Sequence, residues 1–349
     1  MVRTAARLTA LGLGVAALAL AGCGEKSDGG SSTAASGGDA RGGTPRIVFI
    51  QQNSGNPYFD NISEGFEAAG EQLGYDFTAT GPSTAAAADQ VPLIQDQIQK
   101  QVDAIAIQAS DPKAVLPALR QAQAKGIRII AVNSDQIEEV RDAAVTPVDF
   151  ERVGAAQLEL LGELMDYRGD FAILSATTTA PFQLTVIDHI RRLLASDPRY
   201  RAMRLVKIAY GNDEPQKSTT ETQGLLTSYP NLAGILSPTT VGLPAAAQAI
   251  ATAGKGGRVA LTGVGQPNQM RKFVKDGVVE KFQLWVPYDQ GFVGGALLKG
   301  LIDGEIEGRP GVSFEVPRYG TQRISETGVV YVAPEMTVFD RDNIDDYDF

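Results

Sequence analysis

Short apolar runs alternate along the chain with stretches in which apolar residues recur every three or four positions. The runs at 46–50, 104–108 and 128–132 are built almost wholly from Ile, Val, Phe and Ala, and 75–80 is a more mixed version. The pattern predicts strands there and helices over 58–73, 90–101 and 112–125, the last stopping at Gly126. Strands apolar along their whole length and separated by helices require a parallel sheet covered on both faces, because right-handed crossovers leave no other economical packing. After 143–145 the rhythm restarts. Helices are predicted over 151–165, 183–194, 216–228, 243–253 and 268–276, and strands over 170–174, 203–210, 233–236 and 258–262. The expected fold class is therefore α/β, with two doubly wound parallel-sheet lobes. Two such lobes suggest a hinged clamp, in which a ligand sits beyond the C-terminal strand edges and closure buries it.

The first 45 residues carry a different pattern. Arg3 and Arg7 precede an apolar stretch over 8–20 that is too short to span a bilayer permanently, and Leu20-Ala21-Gly22-Cys23 closes it. This reads as a lipoprotein signal peptide over 1–22, with Cys23, the only cysteine, as the lipidated N-terminus of an extracytoplasmic protein anchored to a membrane face. The alternative is a soluble export signal followed by a free thiol. The Gly, Ser and Ala of 23–45 have no apolar period and read as a tether holding the body about 25 Å from the surface.

From 46 to 349 about 300 residues remain, enough for two lobes and for folding without disulfides. Acidic residues outnumber basic ones, 41 to 31, giving a net charge of −10 that argues against a nucleic-acid partner. Beyond the signal no apolar stretch approaches the length of a membrane span. His189 is the sole histidine, placed on a predicted helix surface, so no Ser-His-Asp arrangement and no His/Cys metal cluster can be assembled around it. Gly263-Val264-Gly265 is too short to mark a nucleotide site. No enzyme activity, metal or cofactor is expected.

Several passages together carry a resemblance that covers nearly the whole body. They are Gly55-Asn56-Pro57-Tyr58-Phe59, the run 169–179, Ser237-Pro238-Thr239-Thr240-Val241-Gly242, Leu284-Trp285 with Asp289, and the ending 343–349. The chain resembles the type I periplasmic binding proteins that serve as sugar-binding components of ABC transporters, and within them it is most similar to the rhamnose-binding and autoinducer-2-binding branch. The resemblance implies a three-strand hinge with crossovers near Val148, Trp285 and Thr321. The lobes would then be 46–148 with 286–321 and 149–285 with 322–349. It also implies a monomer that binds a small neutral sugar, rhamnose first and autoinducer-2 or other pentoses, deoxyhexoses or polyols after it, and delivers it to an ABC permease. A sensor that presents its ligand to a membrane receptor is the alternative, and a repressor of this fold is countered by the export signal.

A polyol needs planar polar side chains to grip its hydroxyls and aromatic faces to cover its C–H surfaces. After the first strand come Gln51, Gln52, Asn53, Asn56, Tyr58 and Phe59, either a binding cluster or an ordinary polar turn with Phe59 in the core. Asn133-Ser134-Asp135 follows the fourth strand, where Asn133 and Asp135 either reach the cleft or cap a turn. By resemblance, Gln183, Pro238 and Thr240 match ligand-lining positions, although 238–240 can also be read as a helix cap. Gln52 stands where relatives usually carry lysine, Asn133 where they carry aspartate, and Phe182 where they carry Asn or Asp. The first two departures remove opposite charges, which a neutral ligand tolerates. Gln266 follows another strand end. Trp285, the only tryptophan, either stacks on ligand or seals the hinge, and Asp289 is either a ligand acceptor or a helix cap.

Overall fold

The apolar runs become strands because each can be sealed on both faces. The structure, a computed structural model, describes residues 43–349 except Pro334. The expected signal segment 1–22, Cys23 and the linker through Gly42 lie outside those residues. In the first lobe, β1 (Arg46–Ile50), α1 (Pro57–Leu73), β2 (Asp76–Thr80), α2 (Ala87–Lys100), β3 (Ala104–Ile107), α3 (Pro112–Ala124), β4 (Arg128–Val132) and β5 (Ala143–Thr146) follow in turn. Their strands are parallel, and helices cover both sides of the sheet; Phe49, Ile105 and Ile129 are fully buried.

Helix starts are set by local chemistry. Asn56 accepts the Tyr58 N–H at 3.1 Å, Pro57 takes the first helical position, and Gly74 closes α1 in the left-handed conformation, φ 79°. Asp111 and Asp149 cap the helices after β3 and β5 in the same way. These caps hold the loops that leave the C-terminal edges of β1, β3 and β5.

The second lobe runs α4 (Phe150–Leu164), β6 (Arg168–Ser175), α5 (Pro181–Ser196), β7 (Ala202–Tyr210), α6 (Pro215–Ser228), β8 (Gly234–Ser237), α7 (Gly242–Thr252), β9 (Ala260–Gly263), α8 (Pro267–Lys275) and β10 (Phe282–Leu284). Here the parallel order is β7, β6, β8, β9, and a parallel bridge from Val264 to Gln283 carries the sheet towards β10. The chain then returns to the first lobe as α9 (Pro287–Asp303), followed by β11 (Ser313–Val316), β12 (Gly320–Arg323), β13 (Val329–Tyr331) and β14 (Thr337–Phe339).

These last elements correct the sequence reading. Residues 322–349 were expected to belong to the second lobe, with a crossover near Thr321. Instead β11 and β12 form an antiparallel hairpin and β13 pairs parallel with β5, completing a first sheet of order β13, β5, β4, β3, β1, β2. The chain passes over only after Tyr331, and β14 pairs antiparallel with β10. Pairing decides this, since Val330 fits a buried slot beside Val145 that no local pattern reveals.

Helices α1 and α9 approach so closely that two glycines are required. A Cβ on Gly65 would sit 2.0 Å from the Tyr288 carbonyl oxygen, and one on Gly291 would sit 1.9 Å from that of Ile62. Backbone therefore meets backbone, which fixes α9 against the helix whose first turn carries Asn56, Tyr58 and Phe59.

Candidate ligand cleft

The loops at the C-terminal edges of both sheets face each other across a cleft. The first lobe contributes Gln52, Asn56, Tyr58 and Phe59 after β1, Gln108 after β3 and Asn133 after β4. From the second come Phe182 and Gln183 at the start of α5, Asp213 after β7, Pro238, Thr239 and Thr240 after β8, and Val264 after β9; Leu284 and Trp285 come from the crossover. This is where an open parallel sheet normally holds a ligand, because side chains there project past the strand ends without disturbing the ladder.

Buried Gln90 on α2 holds two of these loops in place. Its amide nitrogen donates to the carbonyls of Gln51 (3.0 Å) and Gln108 (2.8 Å), and its amide oxygen accepts the Ser110 N–H (2.9 Å). On the other side the Gln183 amide donates to the Pro238 carbonyl at 2.9 Å, and Thr239 Oγ accepts N–H groups from Val241 and Gly242 at the start of α7. The 238–240 segment thus both caps a helix and lines the cleft.

An aromatic seam runs through the hinge. Trp285 meets Tyr58 edge to face at 6.3 Å and Phe182 at 5.8 Å, and Phe182 meets Phe150 at 4.8 Å. Trp285 both lines the cleft and seals the hinge, so the two alternatives raised for it are one arrangement. Tyr58 Oη accepts the Trp285 indole N–H (2.8 Å) and the Gln290 amide N–H (3.0 Å) and donates to Asn133 Oδ1 (2.6 Å). Burial pushes the Tyr58 phenol far above its usual range, so it stays protonated.

Among the described residues, two hydrogen bonds cross directly from lobe to lobe. Gln52 Nε2 donates to Asp213 Oδ2 at 3.0 Å, and Thr179 Oγ donates to the Ser110 carbonyl at 3.3 Å. Among the cleft-lining residues Asp213 is the only one bearing a formal charge. Burial raises its pKa, while hydrogen bonds from Thr239 and Gln52 pull the other way. An aspartate whose folded-state pKa lies above its unfolded value of about 3.9 costs stability at neutral pH and recovers it as the pH falls through the folded value. Asp213→Asn lacks that cost. Its stability relative to the parent, measured by urea denaturation, should be most favourable near pH 7 and should shrink towards pH 4. A difference that is constant with pH would show that Asp213 ionises as it does in the unfolded chain.

Not every expected residue reaches the cleft. The Asp135 carboxylate binds Arg141, with Nη2 to Oδ2 at 2.6 Å, and the same guanidinium donates to the carbonyls of Thr327 (2.9 Å) and Gly328 (3.2 Å). It clamps the β4–β5 loop to the start of β13. Asp289 neither caps α9 nor lines the cleft, and it accepts the Tyr319 hydroxyl at 2.6 Å from the β11–β12 turn. Asn53 and Gln266 are buried outside the lining, each with an unpartnered amide oxygen. His189 sits on α5 beside Arg192 at 3.2 Å, away from the cleft.

Sequence reasoning missed Gln108, Asp213, Thr239, Val264 and Leu284. For Asp213 the available signal was its place two residues beyond Gly211 at the end of β7, where Asn212 and Asp213 both take left-handed backbone, φ 56° and 55°. Asn and Asp adopt that conformation more readily than other residues.

Two lobes closing on a polar and aromatic cleft define a ligand-binding clamp. Residues 47–306 match the family described as the periplasmic binding protein domain, and the chain belongs to it. A sugar ABC transporter structure from Actinomyces odontolyticus is similar at 36% identity, covering 87% of this chain and 98% of that one, with a TM-score of 0.70. A Clostridium phytofermentas ABC-transporter solute-binding protein with bound L-rhamnose is similar at 30% identity, with the same coverage and a TM-score of 0.84. The D-ribose/D-allose-binding protein of Pseudomonas aeruginosa is 25% identical over 247 residues, 67% of this chain and 75% of that protein. The chain is thus of the sugar-binding, extracytoplasmic class of ABC-transporter solute-binding proteins, a class that binds ligand rather than transforming it. Among the described residues no helix is long and apolar enough to cross a membrane.

Proposed function

We propose that the protein captures a small neutral sugar, L-rhamnose first among candidates, between its lobes and delivers it to an ABC permease, working as a monomer tethered to the membrane through a lipid on Cys23. The observation that carries this reading is the composition of the cleft. Amide side chains reach in from both lobes, aromatic rings flank them, and no cationic side chain lines it. Such a lining suits hydroxyls and C–H faces and offers nothing to neutralise an anion. The similarity to the rhamnose-bound protein of Clostridium phytofermentas supports the choice of sugar. Two residues at family ligand positions, Phe182 and Asn133, give the cleft one apolar face and one uncharged amide, which fits the methyl end of a deoxy sugar.

Because the lobes face each other directly, binding energy that depends on contacts with both favours the closed arrangement a permease can recognise. A thermal-shift screen of the protein against L-rhamnose, other deoxyhexoses, pentoses, polyols and autoinducer-2 tests the reading. Ligand at about 100 times its dissociation constant stabilises by roughly 2.7 kcal/mol, a shift of several degrees. The largest shift is expected with L-rhamnose. A larger one with another sugar keeps the transport class and replaces the ligand, and no shift with any of them overturns the reading. Metabolic labelling with a palmitate analogue should mark the parent and not Cys23→Ala.

A further inference from the structure

The hydrogen bonds around Tyr58 determine which way the Asn133 amide faces. Tyrosine has one proton to give and two lone pairs to receive with. The indole N–H of Trp285 can only donate, so it occupies one lone pair at 2.8 Å. Of the two remaining neighbours, Asn133 lies at 2.6 Å and Gln290 at 3.0 Å. The shorter contact has the length of an O–H···O bond and the longer that of an N–H···O bond. The proton therefore goes to Asn133 Oδ1, and Gln290 fills the second lone pair with its N–H. Since the phenol is held protonated by burial, this donation persists at all physiological pH values.

Asn133 sits on left-handed backbone, φ 65°, at the end of β4 and lines the cleft. Its oxygen is taken by Tyr58, whereas its amide nitrogen has no acceptor among the described residues and is not among the sealed, unpartnered polar atoms. We infer that Tyr58 is a positioning residue that turns Asn133 into a hydrogen-bond donor towards the ligand, so that this corner of the cleft selects an accepting atom on the sugar. An aspartate at this position would offer only oxygen.

The inference rests on the sugar-binding reading for its ligand, and two measurements keep the two separable. Neutron diffraction from crystals of the deuterium-exchanged, sugar-free protein locates the deuterons. One on Tyr58 Oη directed at Asn133 Oδ1, with both Nδ2 deuterons turned to the cleft, is expected. A deuteron on Nδ2 directed at Tyr58 Oη overturns the inference whether or not any sugar binds. The second measurement is calorimetric titration with L-rhamnose analogues in which each hydroxyl in turn is replaced by hydrogen or fluorine, since fluorine accepts weakly and cannot donate. The hydroxyl facing Asn133 is the one whose removal costs nothing further in Asn133→Ala. At that position the fluoro analogue should bind the parent protein within about threefold of L-rhamnose, while the deoxy analogue loses about tenfold or more. In Asn133→Asp the fluoro analogue should lose at least as much as the deoxy one. Equal losses for fluoro and deoxy analogues in the parent overturn the inference and leave rhamnose binding intact, whereas failure of L-rhamnose itself to bind counts against the ligand and leaves the neutron result to decide.

Discussion

Gly291→Ala is expected to lower the stability of the folded body by about 3 kcal/mol, at the upper end of what overpacking costs. The added Cβ would lie 1.9 Å from the Ile62 carbonyl oxygen and 2.8 Å from the Phe66 backbone nitrogen, so no rotamer change relieves it. Helices α1 and α9 must part by on the order of 1 Å, and close packing spreads that displacement. Tyr58 on α1 and Gln290 on α9 share a hydrogen bond, so ligand affinity should fall along with stability. Urea denaturation and sugar titration of the same preparation measure both effects. A variant as stable as the parent would mean that α9 slides without penalty and that the glycine contact does not position the site.

Asn133→Ala and Gln183→Ala should each cut sugar affinity by about 100-fold, the factor set by leaving one buried ligand group unpaired. Both should leave the unfolding midpoint within a few degrees of the parent. The two residues stand on opposite lobes, Asn133 after β4 and Gln183 in the first turn of α5. Losing either contact leaves a ligand held mainly by one lobe, which binds without rewarding closure. Calorimetry separates this from unfolding. Unchanged affinity in both variants would remove these residues from the site and shift the search to Gln52 and Asp213.

Strands β1, β3, β4, β8 and β9 were legible because a strand buried on both faces is apolar along most of its length, and the amphipathic helices between them carry their own period; β2 and β7, largely exposed, gave a more mixed signal. The later strands were not. β13 and β14 are three residues each, and their places are set by partners far away in sequence, Ala144 to Thr146 for one and Phe282 to Leu284 for the other. The site divides along the same physical line. Gln52, Asn133 and Gln183 could be read because they closely follow a recognisable strand or open a recognisable helix. Asp135 and Asp289 were misplaced because each carboxylate is claimed by a neighbour in space, Arg141 in one case and Tyr319 in the other. No sequence pattern announces which of an acid's possible partners will reach it first.

The chain changes lobes three times, once after β5, once through Trp285 and once after Tyr331. An odd number of crossings leaves the two ends of the folded body in different lobes. Arg46 opens β1 in the first, and the Phe349 carbonyl accepts the Asn268 N–H in the second, where the Phe339 ring meets those of Tyr347 and Phe349 edge to face. A pulling force applied at these two ends is therefore shared across the hinge strands instead of peeling one sheet. In an optical trap the hinge would open before either lobe unravels, and a bound sugar would register as a rise in the force of that first step.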